Sequence, residues 1–198
     1  MIAGLLLASG ASRRFGSNKL VAPLGGRAVV RWSAEALADA VDETWVVVPP
    51  HAGELLAALD GLPMRRVENA SAHEGMASSI RAGVAALPVE AEAVVITLGD
   101  EPAIDHEVVR RVVATWRSAP PGIAAVVSGY EDGRGHPVLF GAALFAALQA
   151  LDGDRGARDL LASLGDAVAV VHVAASRPAD VDTPDALAAL RQAIERTR

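Results

Sequence analysis

The chain has 198 residues and a mass of 20.4 kDa, enough to bury a sizeable core without covalent help, and it suits one domain over 1–198. It contains no cysteine, which excludes disulfides, thiolate metal sites and thiol catalysis and fits a cytoplasmic location. Its net charge of −6 argues against nucleic-acid binding, which normally needs a basic face, and charges interrupt every apolar run short of the ~18 residues of a membrane span.

Taken in order, the apolar run IAGLLLA (2–8) reads as a buried first strand rather than a leader, because the arginines follow it and no basic region precedes it. Helical spacing then covers 28–40, followed by a strand at 44–49, a helix at 52–60 and a short strand at 64–69. A helix at 77–87, a strand at 93–98, a helix at 105–117 and a strand at 123–128 come next. HPVLF (136–140) is a further strand with the option of running against the others. Helices at 141–150 and 156–164, a strand at 167–173 and a helix at 184–197 complete the pattern. Apolar runs without polar alternation suit strands covered on both faces. Their alternation with helices predicts an α/β fold: a Rossmann-like, doubly wound, mostly parallel sheet in a three-layer α/β/α arrangement with right-handed crossovers.

Ligands of such sheets sit beyond the carboxyl ends of the strands, and the candidate chemistry lies there. In SGASRRFGSNK, Gly10, Ala11 and Ser12 let backbone N–H groups approach phosphate oxygens, while Arg14 and Lys19 supply charge. The slots G-x-S-x-R-x-G-x-x-K match neither a P-loop nor a dinucleotide fingerprint, and the bland alternative is a solvated basic turn. Asp100 of GDEP is either a hard oxygen ligand for magnesium beside phosphate or the cap of the next helix. The same choice applies to DVDTPD, where Asp182 or Thr183 makes a good cap ahead of Pro184. In EGMASS, Ser78 and Ser79 read most simply as helix caps after Gly75. His136 precedes Pro137 and so sits in extended or turn backbone. The turn of Gly153, Asp154 and Gly156 before a helix carrying Arg158 either receives a phosphate or forms an exposed salt bridge. His51, His73, His106 and His172 show no metal-ligand spacing and read as surface or core residues.

LLLASGASRRFGSNKL resembles the N-terminal signature of the MobA-like nucleotidyltransferases, roughly L-A-A-G-x-S-x-R-M-G-x-x-K-L, and within them the molybdenum cofactor cytidylyltransferase branch; Ser9 and Phe15 are mild departures. The likeness runs along nearly the whole chain: NASAHEGMASS resembles N-x-x-x-x-x-G-M-x-x-S, GDEP resembles G-D-Q-P, and RGHP, GDRGAR and DVDTPD resemble G-H-P, G-D-x-G-A-R and D-x-D-T-P-E-D. The resemblance implies a fold of the nucleotide-diphospho-sugar transferase type. It implies that Leu7, Ala8, Ser9, Gly10, Ala11, Ser12, Arg14, Lys19, Asn69, Gly75, Met76, Ser78, Ser79 and Gly99 bind a nucleoside triphosphate, with Arg14, Lys19 and Asp100 catalytic. Asp100 and Asp182, and after them Asp180, are the implied Mg2+ ligands; His136, Pro137, Gly153, Asp154, Gly156 and Arg158 are the implied acceptor side. Glu101 stands where glutamine is usual and takes no assigned role.

The GMASS segment, in place of the G-P-L-A-G typical of guanylyl transfer, implies CTP. The implied reaction moves CMP from CTP to the phosphate of molybdopterin and releases pyrophosphate, in a monomer. Because a phosphate nucleophile is already anionic, no general base is needed, which suits a chain with no Ser-His-Asp pattern or G-x-S-x-G elbow. The competing readings are a relative that uses GTP or another phosphorylated acceptor, a dye-type oxidoreductase, which would lack a dinucleotide fingerprint here, and a non-catalytic chaperone presenting the cofactor to a molybdenum hydroxylase.

Overall fold

The computed structural model describes residues 1–10, 15–16, 18–154 and 156–197. In chain order they form β1 (Ile2–Leu7), the short strands β2 (Pro23–Leu24) and β3 (Arg27–Ala28), α1 (Val29–Ala38), β4 (Glu43–Val48), α2 (Gly53–Ala58) and β5 (Met64–Glu68). Then follow α3 (Met76–Ala85), β6 (Ala93–Leu98), α4 (His106–Ser118), β7 (Ala125–Tyr130), β8 (Gly133–Gly141), α5 (Phe145–Gln149), α6 (Arg158–Ser163), β9 (Val168–His172) and α7 (Pro184–Thr197). Among the described residues, no helix is long and apolar enough to cross a membrane.

Seven strands make the main sheet in the order β5-β4-β1-β6-β8-β7-β9. All pairings are parallel except those of β8, which runs against β6 and β7. The sheet is therefore mostly parallel and doubly wound, with HPVLF inside its single reversed strand. From β1 the chain winds outward to β4 and β5, then returns to place β6 on the other side of β1. That reversal creates the crevice in which this class of fold binds ligands.

Alternation along the strands sends side chains to two cores. Leu6, Val46 and Val95 join Val30, Leu37 and Val109 on the face covered by α1, α2 and α4. Leu5, Val47 and Ile96 join Ile80, Val84 and Leu148 on the face covered by α3 and α5. On that second face α3 lies unusually close to β1: a Cβ built at Gly83 would run into the side chain of Leu5. A third cluster joins Leu24, Val29, Val181 and Leu187, so α7 and its preceding segment are anchored to the β2–β3 hairpin and α1.

The local differences from the sequence reading have physical causes. Gly25 and Gly26 both adopt positive φ, at 58° and 85°, the geometry of a two-residue hairpin turn, so 27–28 becomes strand and α1 starts at Val29. The helix expected over 141–150 is shortened because Gly141 remains in β8. Its N–H donates to Ala124 O at 2.9 Å, and a Cβ there would press on Trp116 and on Ala124 O at 3.3 Å. A single 3₁₀ turn at Ala142–Leu144 then leads into α5.

Candidate active site

Past the ends of the parallel strands the ladder continues for one residue, with Ala8 N–H donating to Val47 O, Gly99 N–H to Leu7 O and Asn69 N–H to Val48 O, each at 2.9 Å. Ser9, Asp100 and the 69–71 segment therefore leave the sheet at fixed points. On the β1–α3 side, Asn69 Nδ2 donates to Ser78 Oγ at 2.9 Å and Ser79 Oγ at 3.0 Å. The hydroxyls of Ser9 and Ser79 are 2.6 Å apart, Ser78 Oγ donates to Gly75 O at 2.8 Å, and Asn69 Oδ1 accepts from Ser71 N–H at 2.9 Å. Ser9, Asn69, Ser78 and Ser79 are all buried. Ser78 and Ser79 thus do not cap α3 with their side chains; they hold the β1 turn against that helix.

The opposite side carries charge. Asn18 caps the 3₁₀ turn Lys19–Val21 by accepting from Leu20 N–H at 3.2 Å, which aims the buried Lys19 into the crevice. Lys19 Nζ donates to Asp100 Oδ2 at 2.6 Å and to Asp182 Oδ1 at 2.7 Å. Burial by itself would lower the Lys19 pKa, but the Asp100 and Asp182 carboxylates outweigh it and hold the ammonium above its ordinary value. Neither aspartate is consumed as a helix cap. Asp105 caps α4, accepting from Glu107 N–H at 2.9 Å, and Thr183 Oγ1 accepts from Ala186 N–H at 3.2 Å in the first turn of α7. The buried Val181 and its hydrogen bond to Asp100 O at 2.9 Å draw the 180–182 segment alongside GDEP.

Next to this pair stands a second acidic group. Glu101 is 7% exposed; its Oε1 is 3.2 Å from His136 Nδ1, while Oε2 is buried without a hydrogen-bond partner. Partial burial, then the charges of Glu101 and Asp100 and a hydrogen bond to Glu101, push Asp180 up to about 6. Burial and the Glu101 charge likewise push Tyr130 up to about 12. The GHP segment is pinned by its backbone: Tyr130 OH donates to His136 O at 2.7 Å and Ser128 Oγ to Pro137 O at 2.9 Å, across a cis His136–Pro137 peptide.

Between these walls lies a cleft of about 760 Å³, lined by Leu7, Ser9, Gly10, Lys19, Gly75, Met76, Ser79, Asp100, Asp154, Arg158 and Asp182 among the sequence-derived candidates. Ala8, Asn69, Ser78, Gly99, His136, Pro137, Gly153, Gly156 and Asp180 are not part of that lining. Gly153, Asp154 and Gly156 pack against the start of α3. Gly153 O accepts from Ala77 N–H at 3.1 Å, a Cβ on Gly75 would fall on the Asp154 carboxylate, and one on Gly156 would meet Met76 Sδ at 2.9 Å. Arg81 fastens the loop, donating to Leu151 O at 2.7 Å and to Glu74 Oε2 at 2.9 Å. Gly153, Asp154 and Gly156, expected on the acceptor side, therefore share a wall with residues expected to hold the nucleotide, whereas His136 and Pro137 do not. Ala11, Ser12 and Arg14 lie outside the described residues. Sequence reasoning missed Arg81 and the cleft-lining Leu20, Ala72, His73 and Leu98, which no motif spacing marks.

Among the described residues no three acidic or histidine side chains already converge on one metal position. Asp100 and Asp182 do bracket one cation, the Lys19 ammonium. Paired carboxylate oxygens are the donor type that magnesium takes beside phosphates, so the pair fits such an ion once the ammonium moves toward a bound phosphate.

Comparisons with known proteins bear on the family and the fold. Residues 4–168 match the family described as MobA-like NTP transferase domain. The purine catabolism protein PucB of Bacillus subtilis (strain 168) is 31% identical over 202 residues, covering 96% of both chains. The crystal structure of Rv0371c from Mycobacterium tuberculosis H37Rv has a TM-score of 0.85 at 29% identity, over 96% of this chain and 97% of that one, and another crystal structure of Rv0371c is a complex with manganese. A nucleotidyl transferase from Methanothermobacter thermautotroptrophicus, Mth528, has a TM-score of 0.81 at 28% identity, over 100% of this chain and 99% of that one. The family match covers most of the chain and includes the β1 turn, the α3 start and the Asp100 strand end, so the chain belongs to the MobA-like NTP transferase domain family, whose chemistry is nucleotide transfer.

Proposed function

We propose that this protein is a molybdenum cofactor cytidylyltransferase, which transfers CMP from CTP to the phosphate of molybdopterin and releases pyrophosphate. The observation that carries the reading is the convergence of Lys19, Asp100 and Asp182 at the β1–β6 switch point, facing a hydroxyl and amide wall built from the NASAHEGMASS segment. That segment is the part of the sequence that resembles cytidylyl rather than guanylyl transferases, and it supports CTP as the donor.

In the proposed reaction a phosphate oxygen of the acceptor attacks the α-phosphorus of CTP in line with the departing pyrophosphate. The nucleophile is anionic near neutral pH, so the residues have to position and neutralise rather than remove a proton. Lys19, released from its carboxylates, neutralises charge that develops on the triphosphate, and Arg14 is placed by the sequence pattern to assist it. Asp100 and Asp182 would hold magnesium, which supplies Lewis-acid neutralisation of the phosphates. The Ser9–Asn69–Ser78–Ser79 group fixes the turn over which the nucleotide lies. With purified molybdopterin and magnesium, pyrophosphate should be released from CTP and not from GTP. Release from GTP alone, or from neither nucleotide, would overturn the assignment.

A further inference from the structure

Two stretches far apart in the sequence meet at the start of α3. Residues 72–76 bring Ala72, His73, Gly75 and Met76 to the cleft, and residues 151–154 bring Asp154. The first stretch leads into a wall braced by its own bonds, those of Asn69 to Ser78 and Ser79 and of Ser9 to Ser79. The second is held by α3. Ala77 N–H, one of the first-turn donors that a helix leaves without an internal partner, goes to Gly153 O at 3.1 Å. Four residues on, and so on the same face of the helix, Arg81 Nη1 donates to Leu151 O at 2.7 Å. Its other terminal nitrogen, Nη2, donates to Glu74 Oε2 at 2.9 Å, directly ahead of Gly75. One guanidinium thereby joins both stretches. The fit above it is close, since a Cβ on Gly75 would overlap the Asp154 carboxylate. Asp152, 3.9 Å from Arg81 and 97% exposed, adds little to the junction, as ion pairs open to water do.

We propose that Arg81, which does not itself line the cleft, is a positioning residue for the acceptor: it sets the distance between Asp154 and the start of α3, and so between acceptor and nucleotide. The planar fork is what suits arginine to this place. Its two terminal nitrogens point apart at a fixed angle and serve one stretch each, whereas a lysine ammonium carries the same charge at a single point. Loosening the fork should therefore shift residues 151–154 and leave the separately braced nucleotide wall where it is. The role rests on the reading of Asp154 as an acceptor-side group, but the fastening does not depend on which nucleotide or acceptor is used.

Steady-state kinetics of Arg81→Lys, together with amide hydrogen exchange of the substrate-free full chain, tests it. The KM for molybdopterin should rise at least about tenfold while kcat and the KM for CTP change by less than about threefold, the pattern of weakened binding of one substrate. The Ala77 amide should exchange at least about tenfold faster than in wild type, with the Asn69 and Ser71 amides unchanged. Should Arg81→Lys fail to fold, Glu74→Gln, which weakens one arm of the fork, must raise the molybdopterin KM and not that for CTP. An unchanged molybdopterin KM, an equal rise in both KM values, or an Ala77 amide as slow as in wild type would each overturn the proposal. Faster Ala77 exchange in Arg81→Lys, where wild type itself turns over no CTP, would uphold the fastening and overturn the proposed reaction instead.

Discussion

On one side of the cleft, Ser9, Asn69, Ser78 and Ser79 share neutral, buried hydrogen bonds of 2.6 to 3.0 Å; on the other, Lys19 stands between two carboxylates while Glu101 keeps an unpartnered oxygen. The first wall is complete without a ligand. The second is built from charged side chains, the Lys19 ammonium with the Asp100 and Asp182 carboxylates and Glu101 beside them, so it should respond to anions, cations and pH in ways the first does not. Shape and charge are thereby separated: α3 and the β1 turn set where a ligand lies, and the segments after β6 and before α7 set what charge it must bring.

If that division is right, the largest effects should come from the charged wall. Lys19→Ala or Asp100→Ala should reduce nucleotide transfer by roughly 10²-fold or more, in the range seen when a preorganised electrostatic group is removed, while circular dichroism remains that of wild type. Retained turnover in either purified variant would remove the proposed site. A middle-sized effect belongs to the neutral wall. Asn69→Ala leaves the Ser78 and Ser79 hydroxyls and Ser71 N–H without their amide partner and should cost about 1–3 kcal/mol of stability in denaturant unfolding. Magnesium should not restore it, whereas any loss caused by removing a carboxylate should depend on the ion.

The smallest effect is a pH signature confined to Asp180. Partial burial and then the Glu101 and Asp100 charges raise Asp180 to about 6 in the folded chain, so folding holds its proton more tightly than the unfolded chain does. The associated stability is complete below the ordinary carboxylate value and is lost as pH rises through about 6. In chelator-containing buffer, Asp180→Asn, which mimics the protonated form, should gain melting temperature over wild type above pH about 6 but not below about 4. An equal difference at both ends of that range would show that Asp180 is not the titrating group.

The parts of this division legible in the sequence were those encoded by neighbours in the chain. Continuous apolar runs gave the parallel strands because both faces are buried, and GDEP and DVDTP could be placed at strand and helix ends from local chemistry. Whether their aspartates capped helices could not be decided locally. It took Asp105 and Thr183 filling the cap positions to leave Asp100 and Asp182 for Lys19. Likewise, Ser78 and Ser79 look like caps until Asn69 and Ser9 arrive from other strands. The packing of Asp154 over Gly75 joins residues far apart in sequence that sit in two separate motifs, and neither motif alone foretells it. The Gly-Gly hairpin at 25–26 went unread, although two adjacent glycines suit the positive-φ positions that such a turn requires.

Gly83 shows how a site's tolerance can be set away from the ligand. Because no side chain stands there, α3 rests nearly on Leu5, and Ser79, one turn earlier on the same helix, comes within 2.6 Å of Ser9. A methyl group at this position would act as a shim between helix and sheet, with the overpacking cost of a filled core, about 1–3 kcal/mol. The displacement would be delivered one turn up the helix, where a few tenths of an ångström decide whether two hydroxyls still meet. The clearance of the nucleotide cleft is in this sense gauged by a residue that never touches it.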